Sequence, residues 1–353
     1  MKQIVLQAPG HLEIVEAADP RPGPRDVVLR VHAALTCGTD LKAYRRGHPK
    51  MPPPTPFGHE YAGVVVDAGR EVQGFRVGDA VMAVNSGPCG RCFFCQRDQE
   101  NLCESLMDEM VLGAYAEYLL VPERVLRRNA FAKPEQLTFE QAALLEPLSS
   151  VCFGLTFVPQ NKIRDEATVV ILGAGPIAML WLRVLQSHGA ARVVVAGRRS
   201  ARLATAAAMG ALATIGEGED LAGRVQELTS GRGADAVIEC TGMPQMWELA
   251  PTLARRGGTA VLFGGCARGT IATFDTYRLH YDGVHIASPF HFRPRDVAEA
   301  RRLLCSPSLD WSPLISGRAA LADVPELFTH LGDGGEMKIA IAPHGAASAQ
   351  ATR

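Results

Sequence analysis

The sequence has little that would suit the chain to nucleic acid or to a membrane. Its 36 lysine and arginine residues are balanced by 37 aspartate and glutamate residues, and no block of like charge appears. A net charge of −1 offers no basic field to attract a phosphate backbone or anionic lipid. No stretch approaches the ~20 apolar residues that a spanning helix needs. The sequence therefore predicts neither a nucleic-acid partner nor a membrane partner.

The N-terminus also lacks the apolar run and the cleavage site of a signal peptide, and it reads as a strand. The cysteines do not form a secreted disulfide framework, because four of the nine crowd into residues 89–103 and the others are scattered. We therefore expect a soluble, cytoplasmic protein. Its 353 residues are long for one domain, and two are expected.

The first part of the chain carries a thiol, an imidazole and a carboxylate in short motifs. Cys37 lies in Thr-Cys-Gly-Thr-Asp, and His59 and Glu60 are adjacent after Gly58. Together these three groups can hold Zn²⁺ and leave one position open, as a catalytic site requires. Taken alone, a His-Glu dipeptide is usually a surface pair and a single cysteine a small hydrophobe.

A further carboxylate, Glu146, stands just before a proline in the apolar stretch 142–148. Burying it without a partner would be expensive, and a metal would compensate its charge. The alternative is an ordinary acid at a helix end. The sequence leaves open whether Glu60 or Glu146 is the direct metal ligand.

A second metal motif is denser. It consists of four cysteines, namely Cys89, Cys92, Cys95 and Cys103. Four thiolates at this spacing can close tetrahedrally around one Zn²⁺ with no open position, so the site would fold a loop and do no chemistry. Four unrelated free thiols are the alternative, but exposed thiols this close together would oxidise or cross-link.

The middle of the chain predicts a nucleotide-binding sheet. An apolar strand leads into a glycine turn and a helix, with the candidate cofactor contacts Gly173, Gly175, Pro176 and Ile177. The glycines let the backbone approach a pyrophosphate, and the helix N-terminus favours its charge. Later strands end near Thr241 and near Phe263 and Gly264, whose backbone should face the cofactor. Strands alternating with helices, such as those predicted over 203–209 and 246–255, indicate a doubly wound parallel sheet.

The choice of cofactor depends on the end of the strand that follows the glycine turn. NAD enzymes carry an acid there for the ribose 2′-hydroxyl, whereas this chain has Gly197. Arg198, Arg199 and Arg202 follow, and their guanidiniums could bind a 2′-phosphate bidentately. The alternative is that these arginines only solvate a helix start. The pattern predicts NADP as the preferred cofactor, with NAD possible.

These motifs, in the order in which they follow one another along the chain, resemble those of the medium-chain dehydrogenase/reductase family, the zinc alcohol and polyol dehydrogenases. The resemblance covers nearly the whole chain. The resemblance implies an α/β protein with a GroES-like β-barrel catalytic domain over 1–155, to which 291–353 returns. Short strands with Gly/Pro turns agree with a partly open barrel. A Rossmann cofactor domain would occupy 156–290. The resemblance further implies one catalytic zinc, one structural zinc on the four cysteines, and a homotetramer or homodimer.

The resemblance also implies roles for single residues. The Thr39 hydroxyl would contact the substrate alcohol as the first step of a proton relay, although it could also cap the next helix. Lys42 stands where many relatives carry the relay histidine, including the threonine dehydrogenase branch, so the far end of the relay stays open. Glu146 begins Glu-Pro-Leu-Ser, which in the polyol branch supplies the carboxylate next to zinc.

These inferences predict a zinc-dependent, NADP-preferring dehydrogenase of secondary alcohols, in particular polyols or sugar-like alcohols, and of the corresponding ketones. One alternative is a zinc-free quinone or enone reductase on the same fold, whose relatives lack the pair Cys37 and His59. Another is a catalytically silent nucleotide-binding protein. The substrate, the direction of reaction and the assembly are not determined by the sequence.

Overall fold

The structure is a computed structural model, and it describes residues 1–164 and 166–345. The chain divides into two compact units. Unit 1 consists of Met1–Ser149 and Phe292–Arg353, and unit 2 of Ser150–His291. Residues 346–353, which the predicted returning segment includes, lie outside the described part. The predicted domain boundaries, after residues 155 and 290, stay a prediction.

The elements follow one another in a mixed order. The strands are β1 (Lys2–Ala8), β2 (His11–Glu16), β3 (Val27–Leu35), β4 (Thr55–Pro56), β5 (Tyr61–Ala68), β6 (Ala80–Ala83), β7 (Tyr118–Val121), β8 (Ala130–Ala132), β9 (Thr168–Leu172), β10 (Arg192–Ala196), β11 (Ala213–Ile215), β12 (Ala234–Glu239), β13 (Ala254–Leu262), β14 (His285–Ala287), β15 (Ile315–Ala320) and β16 (Lys338–Ala342). The α-helices are α1 (Gly38–Arg46), α2 (Glu123–Asn129), α3 (Phe139–Ala143), α4 (Leu145–Leu155), α5 (Pro176–Ser187), α6 (Ser200–Ala208), α7 (Leu221–Leu228), α8 (Pro244–Leu253), α9 (Thr276–His280), α10 (Pro294–Leu304) and α11 (Val324–His330). Short 3₁₀ turns cover Cys95–Arg97, Glu100–Leu102, Gln160–Lys162, Ser312–Leu314 and Leu321–Asp323. None of the described helices is long and apolar enough to cross a membrane.

Unit 1 is built mainly on antiparallel strands, with one parallel pair, β15 and β16. A seven-stranded sheet runs in the order β15-β16-β3-β5-β6-β8, with β7 also paired to β3, and a three-stranded sheet runs β2-β1-β4. The late strand β16 pairs with β3 through Ala340 opposite Leu35, which places residues 338–342 in the same sheet as β3. Its core holds the rings of Phe57, Tyr115 and Phe328, which contact one another at 5.3–6.0 Å between centroids. This core supports the loop that carries His59.

Unit 2 contains a six-stranded sheet in the order β11-β10-β9-β12-β13-β14, and all its described pairings are parallel. The first strand in sequence lies in the middle, and the chain winds outward from it in both directions. The central strand Thr-Val-Val-Ile-Leu is buried along its whole length, as expected when helices cover both faces of a parallel sheet. This is the Rossmann strand order, whose ligand site lies at the carboxyl ends of the strands.

One predicted helix is wrong at its end. The prediction placed a helix over 246–255, but α8 ends at Leu253 and β13 begins at Ala254. Ala254 already pairs with Ala234 of β12. Ladder hydrogen bonds to a neighbouring strand therefore override the local helical pattern here.

Candidate active site

The thiol, imidazole and carboxylate that the sequence singles out are close together. Ligand atoms of Cys37, His59 and Glu60 all lie within 4.8 Å of one another. His59 and Glu60 are buried and Cys37 is half-buried. Buried polar groups of this kind are stable only with a partner, and this donor set fits a zinc ion. The three residues therefore form a catalytic-zinc-like site in unit 1.

Two local features position the thiol and the imidazole. Cys37 is the N-cap of α1, where its sulfur accepts the backbone N–H of Thr39 at 3.4 Å. Gly58 has a φ of +89°, and a Cβ there would stand 2.7 Å from the ring of Tyr115. Only glycine can therefore bring the chain this close to Tyr115 while placing His59 beside it.

Asp40 fixes the orientation of the imidazole. Its carboxylate is fully buried, and Oδ1 lies 2.9 Å from His59 Nδ1. Oδ2 accepts a hydrogen bond from the Tyr115 hydroxyl at 2.7 Å. An ionised carboxylate can only accept, so Nδ1 of His59 carries the proton and Nε2 is left for a metal. Burial lowers the pKa of His59, but Asp40 and Cys37 raise it well above the ordinary value. Without a metal the ring would hold a proton on each nitrogen, and a metal would take the place of the proton on Nε2.

Glu60 is balanced by a lysine from the distant strand β16. The Lys338 ammonium, 1% exposed, contacts the two Glu60 oxygens at 2.7 and 2.5 Å and donates to the Thr36 carbonyl at 3.0 Å. Burial lowers the pKa of Lys338, but the Glu60 carboxylate outweighs it and raises the pKa. Burial raises the pKa of Glu60, and the Lys338 charge opposes that rise. The two contacts hold Glu60 in place beside His59.

Glu146 is also buried, at 7% exposure, in the first turn of α4. The alternative of an acid on the surface is wrong. Burial raises the pKa of Glu146 to about 7, while the charge of His59 counteracts this effect. Among the described residues, its carboxylate makes no hydrogen bond, and it is not part of the close group around Cys37. The two carboxylate oxygens of Glu146 can therefore still bind a cation near His59.

The two residues connected with a proton relay differ in exposure. Thr39 is exposed in the first turn of α1, and Cys37 rather than Thr39 caps that helix. The hydroxyl of Thr39 is therefore not used in the capping interaction that the sequence allowed. Lys42 is half-buried one turn further along the same helix.

The four-cysteine motif forms the structural zinc site. The sulfurs of Cys89, Cys92, Cys95 and Cys103 all lie within 4.8 Å of one another, and no disulfide joins the described cysteines. Backbone N–H groups of Cys95 and Glu104 lower the pKa of Cys92 to about 6. A thiolate is the form that binds zinc, so the loop prepares this sulfur for the metal.

The glycine turn of unit 2 lies at the carboxyl end of β9. Gly173 has a φ of +105°, and a Cβ there would stand 3.1 Å from Thr241. Gly175 is the N-cap of α5 and Pro176 follows at the first helical position, with Ile177 next. The Arg202 guanidinium lies 3.9 Å from where a Cβ at Gly175 would stand. The turn thus combines free helix N–H groups with a cation, as a pyrophosphate requires.

The predicted 2′-phosphate region contains one residue that the sequence did not indicate. A cavity of about 200 Å³ is lined by Arg198, Arg199 and Glu217. Gly197 packs so closely on Ala174 that a Cβ there would stand 2.6 Å from the alanine Cβ. Close packing therefore requires glycine at position 197, independently of whether the cofactor is NAD or NADP. The Glu217 carboxylate comes from the loop after β11 and shares the cavity with the arginines.

The ends of β12 and β13 complete the same edge of the sheet. The buried carboxylate of Glu239 accepts the backbone N–H of Thr241 at 2.6 Å and also its hydroxyl. A Cβ at Gly264 would stand 2.3 Å from the backbone nitrogen of Gly242. The Phe263 ring packs edge-on against Trp181 at 5.6 Å. The structure thus gathers the predicted cofactor residues at one edge, although their contacts with a cofactor stay a prediction.

Sequence reasoning missed the residues that support the ligands. Asp40 stands in a motif that the sequence did single out, and its spacing of one helical turn from Cys37 was an available signal. Tyr115 and Glu217 gave no such signal, because each reaches its partner only through the fold. Lys338 matches the family's closing strand over 332–341, but its ion pair with Glu60 was not predicted. The contact of Glu239 with Thr241 is local and was also missed. The direct roles of the predicted site residues stay a prediction.

Comparison with known proteins agrees with this geometry. Residues 23–130 match the model of the alcohol dehydrogenase GroES-like domain, and residues 176–306 match that of the zinc-binding dehydrogenase domain. L-threonine 3-dehydrogenase from Pyrococcus horikoshii is 33% identical over 271 residues, which cover 75% of this chain and 76% of that protein.

Solved structures agree as well. A zinc-binding dehydrogenase from Sinorhizobium meliloti 1021 bound to NADP superimposes with a TM-score of 0.88 at 29% identity, covering 97% of this chain and 99% of that one. An alcohol dehydrogenase from E. coli CFT073 complexed with NADH has a TM-score of 0.84 at 26% identity, with the same coverage.

These matches confirm the predicted fold class, a GroES-like domain joined to a Rossmann-like domain. They also confirm the predicted enzyme class, a zinc-containing alcohol or polyol dehydrogenase type that uses a small-molecule alcohol. The chain belongs to the zinc-binding medium-chain dehydrogenase family.

Proposed function

We propose that this dehydrogenase oxidises secondary alcohols of the polyol or sugar-like class, or reduces the corresponding ketones, with NADP preferred over NAD. The observation that supports the substrate class is Glu146, a buried carboxylate at the start of Glu-Pro-Leu-Ser. It lies close enough to His59 and Glu60 for their charges to act on its pKa. A second acidic donor at the metal centre suits a substrate that presents two neighbouring hydroxyl groups. The metal centre would chelate such a diol better than a simple alcohol.

We propose that Cys37, His59 and one of the two carboxylates, Glu60 or Glu146, hold the catalytic zinc, so that one position stays open for the substrate. When bound, zinc supplies Lewis acidity at the substrate oxygen. Asp40 keeps the proton on Nδ1 of His59, so that Nε2 stays a ligand. Lys338 holds Glu60 in place through both carboxylate oxygens. The exposed hydroxyl of Thr39, two residues from Cys37, is suited to take a proton from the substrate alcohol.

The NADP preference is supported by the cavity at the end of β10. Arg198 and Arg199 line it, and no acid stands at position 197. Guanidiniums bind phosphate bidentately, so a 2′-phosphate would be favoured there. The relative from S. meliloti was solved with NADP. The Glu217 carboxylate lines the same cavity and would repel a phosphate. The strength of the NADP preference therefore depends on how far the two arginines outweigh Glu217.

A second candidate substrate is L-threonine, since curated relatives with that activity are 33% identical to this chain. L-Threonine is also a secondary alcohol with a neighbouring metal-binding group, here an amine. Lys42, at the position of the relay histidine in that branch, weighs against it.

A substrate panel tests these proposals. Vicinal diols, polyols, L-threonine and simple alcohols are compared at equal concentration, each with NADP and with NAD, before and after removal of zinc by a chelator. We expect kcat/KM to be highest for a diol or polyol with NADP and to be lost with the metal. Better turnover of ethanol than of any diol or polyol would reject the substrate class. A higher kcat/KM for L-threonine than for the polyols would establish the second candidate.

A further inference from the structure

Unit 2 has an open cleft of about 530 Å³ that belongs to none of the sites above. Four arginines dominate its lining, together with two neutral polar residues. These six are Arg232, Arg255, Arg256, Arg278, Gln226 and Thr252. None of the described residues that line the cleft is acidic or aromatic.

The cleft lies at the opposite end of the sheet from the candidate nucleotide site. Arg232 lies two residues before β12 in the chain, and Arg255 and Arg256 stand at the start of β13. The nucleotide residues Thr241 and Gly264 follow the carboxyl ends of the same two strands. A strand of six residues is roughly 20 Å long, so the two places are separated by about the length of the strands.

Two of the arginines are fixed by the fold. Arg255 donates from Nε to Asp235 at 2.6 Å and from a terminal nitrogen to the Arg256 carbonyl at 2.7 Å. Arg278 contacts Asp282 at 2.6 Å and donates to carbonyl oxygens at the C-terminal end of α8. These contacts hold both guanidiniums in place at the cleft.

The other two arginines have unused donors. Among the described residues, the guanidinium of Arg232 makes no hydrogen bond or ion pair, and this residue is exposed. Arg256 contacts Asp282 through Nε alone at 3.0 Å, and its side chain is 82% exposed. Four guanidiniums are thus opposed by two carboxylates, and two of the four present free N–H groups to the cleft. The cleft therefore carries a net positive charge, which attracts anions.

We propose that this cleft is a binding site for a small anion that carries a phosphate group, separate from the nucleotide site. Fixed guanidiniums match the oxygens of a phosphate in geometry, and the volume is in the range of small-molecule sites. The lining offers no aromatic ring on which a nucleic-acid base would stack, which favours a compact ligand. Arg255 and Arg278 would form the floor of the site, and Arg232 and Arg256 would close on the anion.

The test is a calorimetric titration of the zinc-loaded full chain with inorganic phosphate. The variant R232Q/R256Q removes the two exposed guanidiniums and keeps the two that support the fold. The matched control R76Q/R302Q also removes two exposed positive charges, each of which is paired with a neighbouring carboxylate of unit 1. Phosphate that binds at the glycine turn of the nucleotide site contributes equally to all three proteins.

We expect R232Q/R256Q to bind phosphate at least about tenfold more weakly than the unchanged protein, and the control to stay within about twofold. NADP affinity is expected to be the same in all three. Absence of phosphate binding by the unchanged protein overturns the proposal, as does equal affinity in the two double variants. Should R232Q/R256Q unfold, the single variants R232Q and R256Q apply the same criterion, each with a loss of at least about threefold.

Discussion

The Lys338 ammonium contacts both carboxylate oxygens of Glu60, at 2.7 and 2.5 Å, in a place where neither side chain is exposed by more than 2%. The two residues are 278 positions apart in the chain. A strand from the end of unit 1 therefore supplies the charge that allows a carboxylate to be buried beside His59. This makes Lys338 a positioning residue for the metal centre.

Replacing Lys338 with methionine should destabilise the protein strongly. The change leaves the Glu60 charge buried without its partner, and we expect the free energy of unfolding to fall by about 3–5 kcal/mol. Urea unfolding of the zinc-loaded protein measures it.

Lys162→Met is the matched control. Lys162 is also buried, but its ammonium donates to the Thr259 hydroxyl at 2.8 Å and, within residues 1–164 and 166–345, to no carboxylate. Its replacement leaves no unpaired charge, so the loss should be about 1–2 kcal/mol. Equal losses for the two variants would show that the ion pair with Glu60 has no special role.

Asp40→Asn should weaken zinc binding at the catalytic site. An amide cannot supply the negative charge that fixes the proton on Nδ1 of His59, and loss of such a partner lowers metal affinity about 10–100-fold. Zinc retained after dialysis against graded chelator concentrations gives the affinity. Tyr115→Phe removes only the hydroxyl that donates to Asp40, so its effect should stay under about tenfold. An undiminished affinity in Asp40→Asn would contradict this role of Asp40.

Cys95→Ser should remove one of two zinc ions and leave the other. The four-cysteine group loses one of its ligands, while Cys37 and His59 are unaffected. Metal analysis is expected to give one zinc per chain, together with a lower melting temperature because the loop loses its cross-link. Cys305→Ser changes a cysteine outside both groups and should keep two. Two zinc ions retained in Cys95→Ser would show that the four thiols do not share a metal.

The cavity at the end of β10 contains both positive and negative side chains, and replacing either kind tests the choice between NADP and NAD. Arg198→Gln should raise the KM for NADP about tenfold and leave that for NAD within about twofold, because only NADP carries the 2′-phosphate. Arg224→Gln, on α7, is the control for loss of one positive charge.

Glu217→Gln should have the reverse effect. The carboxylate shares the cavity with Arg198 and Arg199, and its removal should lower the KM for NADP at unchanged KM for NAD. A rise in the KM for NAD would instead mean that Glu217 binds the ribose 2′-hydroxyl, and the predicted NADP preference would then be wrong.

The metal donors and the fold class could be predicted because their signals are local. Cys37, the His59–Glu60 pair and the four cysteines are short motifs whose chemistry is evident from residue type and spacing. The parallel sheet follows from buried strands and a glycine turn within one stretch of chain. The end of α8 was not predictable, because a strand pairing with Ala234 decides the conformation of Ala254.

By itself, the sequence determined the two zinc sites, the glycine turn and the alternation of strands and helices, since each is written in neighbouring residues. Only the tertiary structure decided that Asp40 orients His59, that Lys338 balances Glu60, and that Glu217 joins Arg198. The physical reason is that buried charges need partners, and the fold supplies those partners from segments that have no fixed spacing in the chain.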